Sequence, residues 1–522
     1  MANKNILLVE PGYKNKYPPL GLMKIAQYHG PRGKCDNVKF IKGEDSSVLD
    51  TCWDRIYVTT LFSFEWKKIS QAIDFALEVA GDPNIVFVGG IAASLMHEEF
   101  LRENRWHGIR FINGLLREAP AVSLQLSSFD GELYSDDLKG APIEDQIPDY
   151  SILDQVAYKY PVVDGYFAYA SRGCIRKCSF CGVPKLEGDL YDTPSLTAIV
   201  KGIEQLYGPK KDLVLMDNNV VASPRFKEII AEIRDLGFTP GAKLRRGKSS
   251  ALRRVDFNQG VDARILCKDP MFLRELSTIC IKPLRIAFDH LGLRKPYETA
   301  SRYAHQVGLH DLSNYMLYNF NDTPSDLYQR MRINIDLNED LNIRIFSFPM
   351  RYQPTDMKDR SHVGKNWNRY FLRSMQIILQ ATHGVVSGAP KFFRRAFGAD
   401  EQQFHDLLLR PHHFIFNRRW YDEFGGRAEY QEYDSEFRAL GATDRADLIT
   451  VLAQFENRKF ASIKRRIANK KVARLFRFYK PLTDPEERKI WTTQKEWVQQ
   501  PWLIPDDERV EDAGLELEAV LN

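Results

Sequence analysis

The sequence lacks any long apolar run. Its longest nearly uncharged apolar stretch, Ile85 to Met96, has 12 residues and is interrupted by Gly89 and Gly90. Because a membrane-spanning helix needs about 20 apolar residues, we expect no membrane span. The opening residues, MANKNILLVEPGY, hold only a short apolar stretch that ends at Glu10, without the length or cleavage site of a secretory signal. We therefore expect a cytoplasmic protein that has no membrane partner.

Cysteine is scarce, and charge of neither sign dominates. The 522 residues include seven Cys, an odd number and too few for a disulfide framework. Lys and Arg total 73 against 69 Asp and Glu, a net charge of +4. Affinity for nucleic acid would therefore have to come from local patches. The length suggests two to four domains at roughly 150 residues each.

The first part of the chain alternates apolar strands with amphipathic helices. Helices are predicted at about Leu20–Tyr28 and Trp66–Ala80, where apolar residues recur at three- and four-residue spacing. Strands are predicted at Asn5–Glu10, Arg55–Thr60 and Asn84–Gly90. This pattern is typical of a Rossmann-like α/β domain with a parallel sheet.

A second alternating series begins at Tyr166 and contains six strand and helix units, the last strand being Ile343–Phe348. Serial βα units joined by right-handed crossovers form a full or partial parallel barrel, whose chemistry lies at the carboxyl ends of the strands. We place a Rossmann-like domain at 1–126, a polar linker rich in Asp and Pro at 127–158, the barrel at 159–379 and a mostly helical, basic region at 380–522. The fold class is α/β.

Three of the seven cysteines lie within eight residues. Cys174, Cys178 and Cys181 follow the first strand of the second series at C-x3-C-x2-C spacing. Thiolates select zinc, copper or iron–sulfur clusters, and three on one loop can hold three irons of a 4Fe–4S cluster. A structural zinc site needs a fourth Cys or His, and only His97 and His107 lie nearby in the sequence. A non-catalytic zinc or iron–sulfur binding module stays open as the alternative.

This motif, with Phe180 directly before the third cysteine, resembles that of the radical S-adenosylmethionine (SAM) superfamily. The resemblance covers roughly Tyr166 to Gln353 and implies a partial (βα)6 barrel with a 4Fe–4S cluster on Cys174, Cys178 and Cys181. It implies that SAM chelates the open iron and is cleaved to a 5′-deoxyadenosyl radical, which takes a hydrogen atom from the substrate. An electron donor such as a flavodoxin or a ferredoxin is then an expected partner.

Polar residues at the predicted strand ends converge on one mouth of the barrel. The resemblance implies that such residues hold the amino, ribose and carboxylate groups of SAM, although a clear Gly-Gly-Glu after the second strand is absent. A helix cap or a turn hydrogen bond is the alternative role for each. No catalytic residue is assigned. The predicted cofactor-binding residues are Phe180, Gly182, Asp217, Asn219, Gln259, Asp262, Arg264, Asp289, Asn319 and Arg351.

The N-terminal segments NILLVEPGYKNKYPPLGLMKIAQY and FVGGIAAS resemble the cobalamin-binding domain that precedes the barrel in one radical SAM subgroup. The D-x-H-x-x-G pattern, whose His binds cobalt, is absent. A Gly-Gly after a strand is also typical of a plain tight turn. Cobalamin, and with it a cobalamin-dependent radical SAM methyltransferase, is therefore the alternative to a radical enzyme without cobalamin.

Two segments are strongly basic. Residues 243–254 hold six Lys or Arg, and residues 458–480 interleave ten with aromatic residues. Cations beside stacking groups are typical of phosphate and single-strand binding, whereas a solvated helix face is the alternative. We expect an anionic substrate, such as a nucleic acid or a nucleotide, to enter over residues 243–254. Tailoring of a peptide or a metabolite is the alternative.

Overall fold

The computed structural model describes residues 3–117, 143–423, 425–455 and 459–481. Its N-terminal part is a five-stranded parallel sheet in the order β2-β1-β3-β4-β5. The strands are β1 (Asn5–Glu10), β2 (Asn37–Lys42), β3 (Arg55–Thr60), β4 (Val86–Gly90) and β5 (Arg110–Phe111). The helices are α1 (Leu20–His29), α2 (Trp66–Ala80), α3 (Ile91–Leu95) and α4 (His97–Leu101).

Alternate residues of these strands enter two separate cores. In β1, Ile6 and Leu8 pack with α1 on one face, while Leu7 and Val9 pack with α2 on the other. All four are fully buried. A parallel sheet covered by helices on both faces needs such continuous apolar strands, so the run ILLV predicts this arrangement correctly. The Rossmann-like fold of the first part is confirmed.

The second part contains six parallel strands that neighbour one another in chain order. Two three-stranded groups, β12-β9-β6 and β13-β14-β15, are joined by bridges from Val255 to Ile281 and from Val261 to Ile286. Two short antiparallel pairs, β7 with β8 and β10 with β11, are additional. These strands are β6 (Gly165–Ala168), β7 (Ser171–Arg172), β8 (Tyr191–Asp192), β9 (Asp212–Leu215), β10 (Lys243–Arg246), β11 (Ser249–Leu252), β12 (Val255–Phe257), β13 (Leu284–Arg285), β14 (Asp311–Tyr318) and β15 (Arg344–Arg351).

Helices alternate with these six strands, so the predicted α/β fold class with a partial (βα)6 barrel is confirmed. They are α5 (Val183–Leu186), α6 (Leu196–Tyr207), α7 (Phe226–Asp235), α8 (Ala263–Leu266), α9 (Met271–Leu276), α10 (Arg294–Gln306) and α11 (Pro324–Leu341). Helix α11 has 18 residues. Its N-terminus is fixed by a capping box between Thr323 and Asp326, with Pro324 in the first turn.

The C-terminal part of the described chain is helical, as predicted, and its first helix crosses position 380. Buried aromatic residues, including Tyr370, Tyr433 and Tyr479, form its core. The predicted linker residues 127–142 and the end of the chain from 482 onward lie outside the described residues. The helices are α12 (Arg369–Ala381), α13 (Pro390–Phe397), α14 (Glu401–Leu409), α15 (His412–Phe416), α16 (Arg418–Glu423), α17 (Arg427–Arg438), α18 (Ala442–Ala453), α19 (Phe460–Arg466) and α20 (Lys470–Leu475).

Among the described helices, none combines the length and the apolar character that crossing a bilayer requires.

Candidate functional site

The three clustered cysteines lie on a loop at the carboxyl end of the first barrel strand. We call residues 173–188 the cluster loop. Cys174, Cys178 and Cys181 are free and half-buried. Backbone amides point at two of the thiols: the N–H of Arg176 lies 3.3 Å from Cys174 Sγ, and that of Val183 lies 3.5 Å from Cys181 Sγ. Such donors stabilise thiolates, which are the forms that bind metal.

Two of the three thiols have a raised pKa. Burial raises the pKa of Cys178, an effect that Arg264 opposes, and it also raises the pKa of Cys181. The charges of Cys174 and Cys178 raise the pKa of Cys181 further, as expected for facing thiolates. Iron must therefore displace these protons when it binds.

The donor set fits an iron–sulfur cluster. Within the described ranges, no three His, Cys, Asp or Glu side chains stand close enough together to hold a single metal ion. A 4Fe–4S cluster, in contrast, takes each thiolate on a different iron. Three soft thiols on one loop, Cys174, Cys178 and Cys181, match that requirement.

Asp262 ties the cluster loop to the end of the third barrel strand. Its carboxylate accepts hydrogen bonds from Arg176 Nε at 2.7 Å and from both the backbone N–H and Nε of Arg264, at 2.9 and 2.7 Å. Burial raises the pKa of Asp262, but the hydrogen bonds from the two arginines outweigh it and leave the pKa lowered. The structure thus brings Asp262 and Arg264 to the cysteines, with Asp262 already satisfied by the protein.

Asp217 and Asn219, at the end of the second strand, also bind other parts of the chain. The fully buried Asp217 carboxylate accepts the backbone N–H groups of Ala170 and Ser171 and the Ser171 hydroxyl. Burial raises its pKa to about 6. Asn219 Oδ1 accepts the N–H of Asp262 at 3.3 Å, while Gln259 is exposed. Cofactor binding by these residues stays a prediction.

Asn319 and Arg351 hold the segment that follows the last barrel strand. We call residues 352–364 the mouth loop. Asn319 donates to the carbonyls of Tyr352 and His362 and accepts the N–H of Gly364. Arg351 donates to the carbonyl of His362 at 2.9 Å. These side chains shape the mouth. Both amide atoms of Asn319 and Nη2 of Arg351 bond the protein's own backbone, whereas Arg351 Nε is buried with no hydrogen-bond partner among the described residues.

The mouth loop packs against the cluster loop. The ring of Phe180 contacts that of Phe320 at a centroid distance of 5.8 Å, and Phe320 contacts Tyr352 at 4.7 Å. A Cβ on Gly182 would lie 3.5 Å from Thr355 Cγ2 and only 3.0 Å from Leu95 Cδ1. Phe180 and Gly182 are therefore packing residues beside the third cysteine.

The first domain meets the barrel mouth through residues that follow its own strands. Leu95, just beyond β4, reaches Gly182, and the Tyr17 hydroxyl, beyond β1, donates to Asn258 Oδ1 at 2.6 Å. Asn258 follows the third barrel strand, so the carboxyl ends of both sheets share one site. The sequence pattern around Tyr17 did not predict this contact.

Two further features were not predicted. Phe62 and Ile91, just after β3 and β4, are 37% and 40% exposed at the edge of the first sheet. Gln353, in the mouth loop, has both amide atoms buried without a hydrogen-bond partner in the described part of the chain. These apolar and amide groups are suited to contact a bound cofactor or substrate.

Asp289 is the acidic strand-end residue that keeps its carboxylate available. No side chain or amide of the described residues donates a hydrogen bond to it, although Arg330 and Arg264 are near. Burial raises the pKa of Asp289 to about 6. The charge of Asp289 in turn raises the pKa of both Cys178 and Cys181. We regard Asp289 as the strand-end residue best placed to bind a ligand.

The raised pKa of Asp289 predicts a pH-dependent stability. The folded protein holds this proton more tightly than the unfolded chain, so stability is full below about pH 4 and falls as the pH rises to about 6. Asp289→Asn stays neutral, and we expect it to raise the free energy of unfolding at pH 7.5 by about 1–3 kcal/mol and to leave it unchanged near about pH 4. Urea unfolding at both values measures this.

The exposed Asp235→Asn serves as the control, since it should alter neither value. An equal effect of Asp289→Asn at both pH values would contradict the prediction.

The first basic segment does not lead to the mouth. Residues 243–252 form the hairpin β10–β11, which precedes β12 and so lies at the amino end of the barrel strands, opposite the cysteines. Arg246 pairs with Asp164, directly before β6, and Arg253 stacks on Phe238 at 3.7 Å. The position of the hairpin in the barrel therefore corrects the expectation that a substrate enters over this segment.

The second basic segment is partly structural. Phe476, Phe478 and Tyr479 are buried in the helical region and offer no faces for stacking bases. Arg477 and Arg474 form ion pairs with Glu436. These aromatic residues therefore belong to the core of the helical region, which is neither a stacking surface nor the solvated helix face that was the alternative.

Neither a family model nor a curated protein matches the chain. Eight chains of solved structures align with it, among them the following three. TsrM, a radical SAM methyltransferase from Kitasatospora setae solved with tryptophan substrate and a SAM analogue, shows 15% identity and a TM-score of 0.45 over 72% of this chain and 76% of its own. OxsB, a cobalamin-dependent SAM radical enzyme solved with aqua-cobalamin and SAM, shows 13% identity and a TM-score of 0.46 over 95% and 75%. Its apo form shows 13% identity and a TM-score of 0.43 over 64% and 51%.

Proposed function

We propose that this chain is a radical SAM enzyme that carries one 4Fe–4S cluster on Cys174, Cys178 and Cys181. The observation that carries the proposal is the position of the C-x3-C-x2-C loop at the carboxyl end of the first of six parallel barrel strands. Three thiolates bind three of the four irons of such a cluster, so the fourth iron stays open for a ligand that the protein does not supply.

When bound, the reduced cluster and SAM supply a 5′-deoxyadenosyl radical that abstracts hydrogen from the substrate. The chain's own residues prepare the site for this chemistry. Arg264 and Arg176, held by Asp262, place positive charge near the thiolates, and Asp289 offers a free carboxylate at the mouth. The mouth loop and Leu95 cover the cluster loop, which keeps water from the reacting groups.

Cobalamin is the second cofactor that the site would accept, and we propose a cobalamin-dependent radical SAM methyltransferase as the more specific function. The supporting observation is the edge of the first sheet, where Phe62 and Ile91 expose apolar surface beside the barrel mouth. Bound cobalamin would supply methyl transfer there. The chain offers no D-x-H-x-x-G histidine, so the cobalt would have no histidine ligand from that motif.

Anaerobic reconstitution with iron and sulfide, followed by reduction with SAM present, tests the radical SAM proposal. We expect visible iron–sulfur absorption and formation of 5′-deoxyadenosine. Zinc at stoichiometry, without that absorption, would refute it and favour the binding module.

Purification after growth with hydroxocobalamin tests the second cofactor. Stoichiometric cobalt with corrin absorption, and S-adenosylhomocysteine formed beside 5′-deoxyadenosine, are the results expected for methyl transfer. As a site variant, Ile91→Asp places a carboxylate on the apolar edge and should lower corrin content while leaving iron content unchanged. A corrin-free protein that still cleaves SAM would return the proposal to a radical enzyme without cobalamin.

The identity of the substrate is the least specific part of the proposal. The substrate is an anionic molecule, a peptide or a metabolite. Each of these would have to approach the mouth between the first domain and the barrel, because the basic hairpin lies at the amino end of the barrel strands. A flavodoxin or ferredoxin as electron donor and a cytoplasmic location are part of the same proposal. Mass spectrometry of extracts incubated with the reconstituted protein and SAM would identify the product by its mass shift.

A further inference from the structure

Four side chains of alternating charge connect helix α1 to the cluster loop. Lys24 Nζ lies 3.1 Å from Glu144 Oε1, which lies 3.3 Å from Arg172 Nη1. Arg172 Nε in turn lies 3.3 Å from Glu187 Oε2. All four side chains are between 7% and 13% exposed. We call these residues the ionic chain, and their burial means that salt screens them little.

Glu187 holds the two ends of the cluster loop together. Its Oε2 accepts the backbone N–H of Gly173 at 2.7 Å and Nδ2 of Asn218 at 2.8 Å. Gly173 directly precedes Cys174, whose own N–H donates to the carbonyl of Gly188 at 3.3 Å. The approach is so close that a Cβ on Gly173 would lie 2.1 Å from the carbonyl oxygen of Asp189. One carboxylate thus joins both ends of the loop to the end of β9.

The opposite end of the ionic chain belongs to the first domain. Lys24 lies on α1 and also donates to the backbone carbonyl of Glu144. Between the two ends, the guanidinium of Arg172 lies 4.0 Å from the centre of the Tyr169 ring. Tyr169 directly follows the first barrel strand, so this contact fixes the arginine where the strand leads into the cluster loop.

We infer that Glu187 is a positioning residue for the cluster cysteines and that the ionic chain ties their position to the docking of α1. The inference rests on the proposed function, since it concerns the loop assigned to the cluster. An ionised carboxylate that accepts a backbone N–H makes a stronger hydrogen bond than a neutral acceptor does. Groups that orient metal ligands affect metal retention although they never touch the metal.

The first measurement uses metal-free protein. Glu187→Gln keeps the size of the side chain but removes its charge, so the two ends of the cluster loop should separate more often. We expect alkylation of Cys174 by iodoacetamide, followed by peptide mass spectrometry, to become roughly tenfold faster, as for the loss of one charge-assisted hydrogen bond. Cys280, remote from the loop, is the internal reference and should react at an unchanged rate.

The second measurement uses the reconstituted cluster. Loss of iron to a chelator from Glu187→Gln should be roughly tenfold faster than from the wild type. Glu144→Gln, one link further from the loop, should give a smaller increase, and Lys24→Met should resemble it if α1 is coupled to the loop. Glu436→Gln is the matched control, because Glu436 is similarly buried and ion-paired but lies in the helical region.

Unchanged alkylation of Cys174 together with unchanged iron loss would overturn the inference. Equal acceleration at Cys174 and Cys280 would overturn it as well, because it would indicate general destabilisation. If Glu187→Gln fails to fold by circular dichroism, Glu144→Gln decides in its place. A wild type that takes up no cluster would refute the proposed function, while the alkylation experiment would still decide the role of Glu187.

Discussion

Replacing Cys178 with alanine is expected to abolish the visible iron–sulfur absorption of the anaerobically reconstituted protein. Each of the three thiolates would hold a separate iron, so two remaining thiolates leave the cluster with only two protein ligands. Among the described residues, no other group of three or more His, Cys, Asp or Glu side chains is arranged to hold a metal ion in their place. We expect iron and sulfide contents near zero and loss of SAM cleavage, measured by elemental analysis and by 5′-deoxyadenosine formation.

Cys280→Ala is the control for this prediction. Burial raises the pKa of Cys280 to about 11, so it reacts only slowly as a thiolate, and its replacement should leave the cluster intact. Cluster assembly in the wild type should also become faster as the pH rises, because burial raises the pKa of Cys178 and Cys181. Full iron content in Cys178→Ala would show that these cysteines do not form the cluster.

Replacing Arg330 with methionine is expected to cost the fold about 3–5 kcal/mol of unfolding free energy, the penalty for breaking a buried charge network. Arg330, on α11, is completely buried. Its guanidinium donates to the carbonyls of Phe288, Asp289 and Leu317 and pairs with Asp322. It thus joins the ends of the fourth and fifth barrel strands, and methionine would leave these acceptors buried without a donor.

Arg332→Met, two residues further along the same helix, is the matched control. Arg332 is partly exposed and pairs with Asp336 one turn away, an interaction worth about 0.5 kcal/mol or less. Urea unfolding of both variants separates the two cases. A cost below about 1 kcal/mol for Arg330→Met would contradict the proposed role of the buried network.

Local patterns in the sequence predicted the cluster loop and the order of elements. The spacing of Cys174, Cys178 and Cys181 is fixed along the chain, so their proximity needs no long-range contact. Strand and helix periods are likewise local, which is why β1, β3 and α2 have the predicted bounds. The position of the basic hairpin could also have been read from the sequence, because a segment that precedes a barrel strand lies at the strand's amino end.

Tertiary structure decided whether each strand-end side chain is hydrogen-bonded within the protein or left open. Asp217, Asn319 and Asp289 look equivalent in sequence, yet the first two are saturated by hydrogen bonds within the protein and the third is left open. That difference depends on which backbone groups the folded chain places nearby, and these come from distant parts of the sequence.

The same reason explains what was missed. Glu187 lies near the cysteines in sequence, but its role appears only where Arg172 and Asn218 converge on it. The contact of Tyr17 with Asn258 joins residues 241 positions apart. The sequence alone thus determined the spacing of the three cysteines, the alternating elements and the parallel barrel, because these follow from local spacing and period. Only the tertiary structure decided which polar groups are satisfied and where the mouth lies, since burial and hydrogen bonding are properties of the assembled fold.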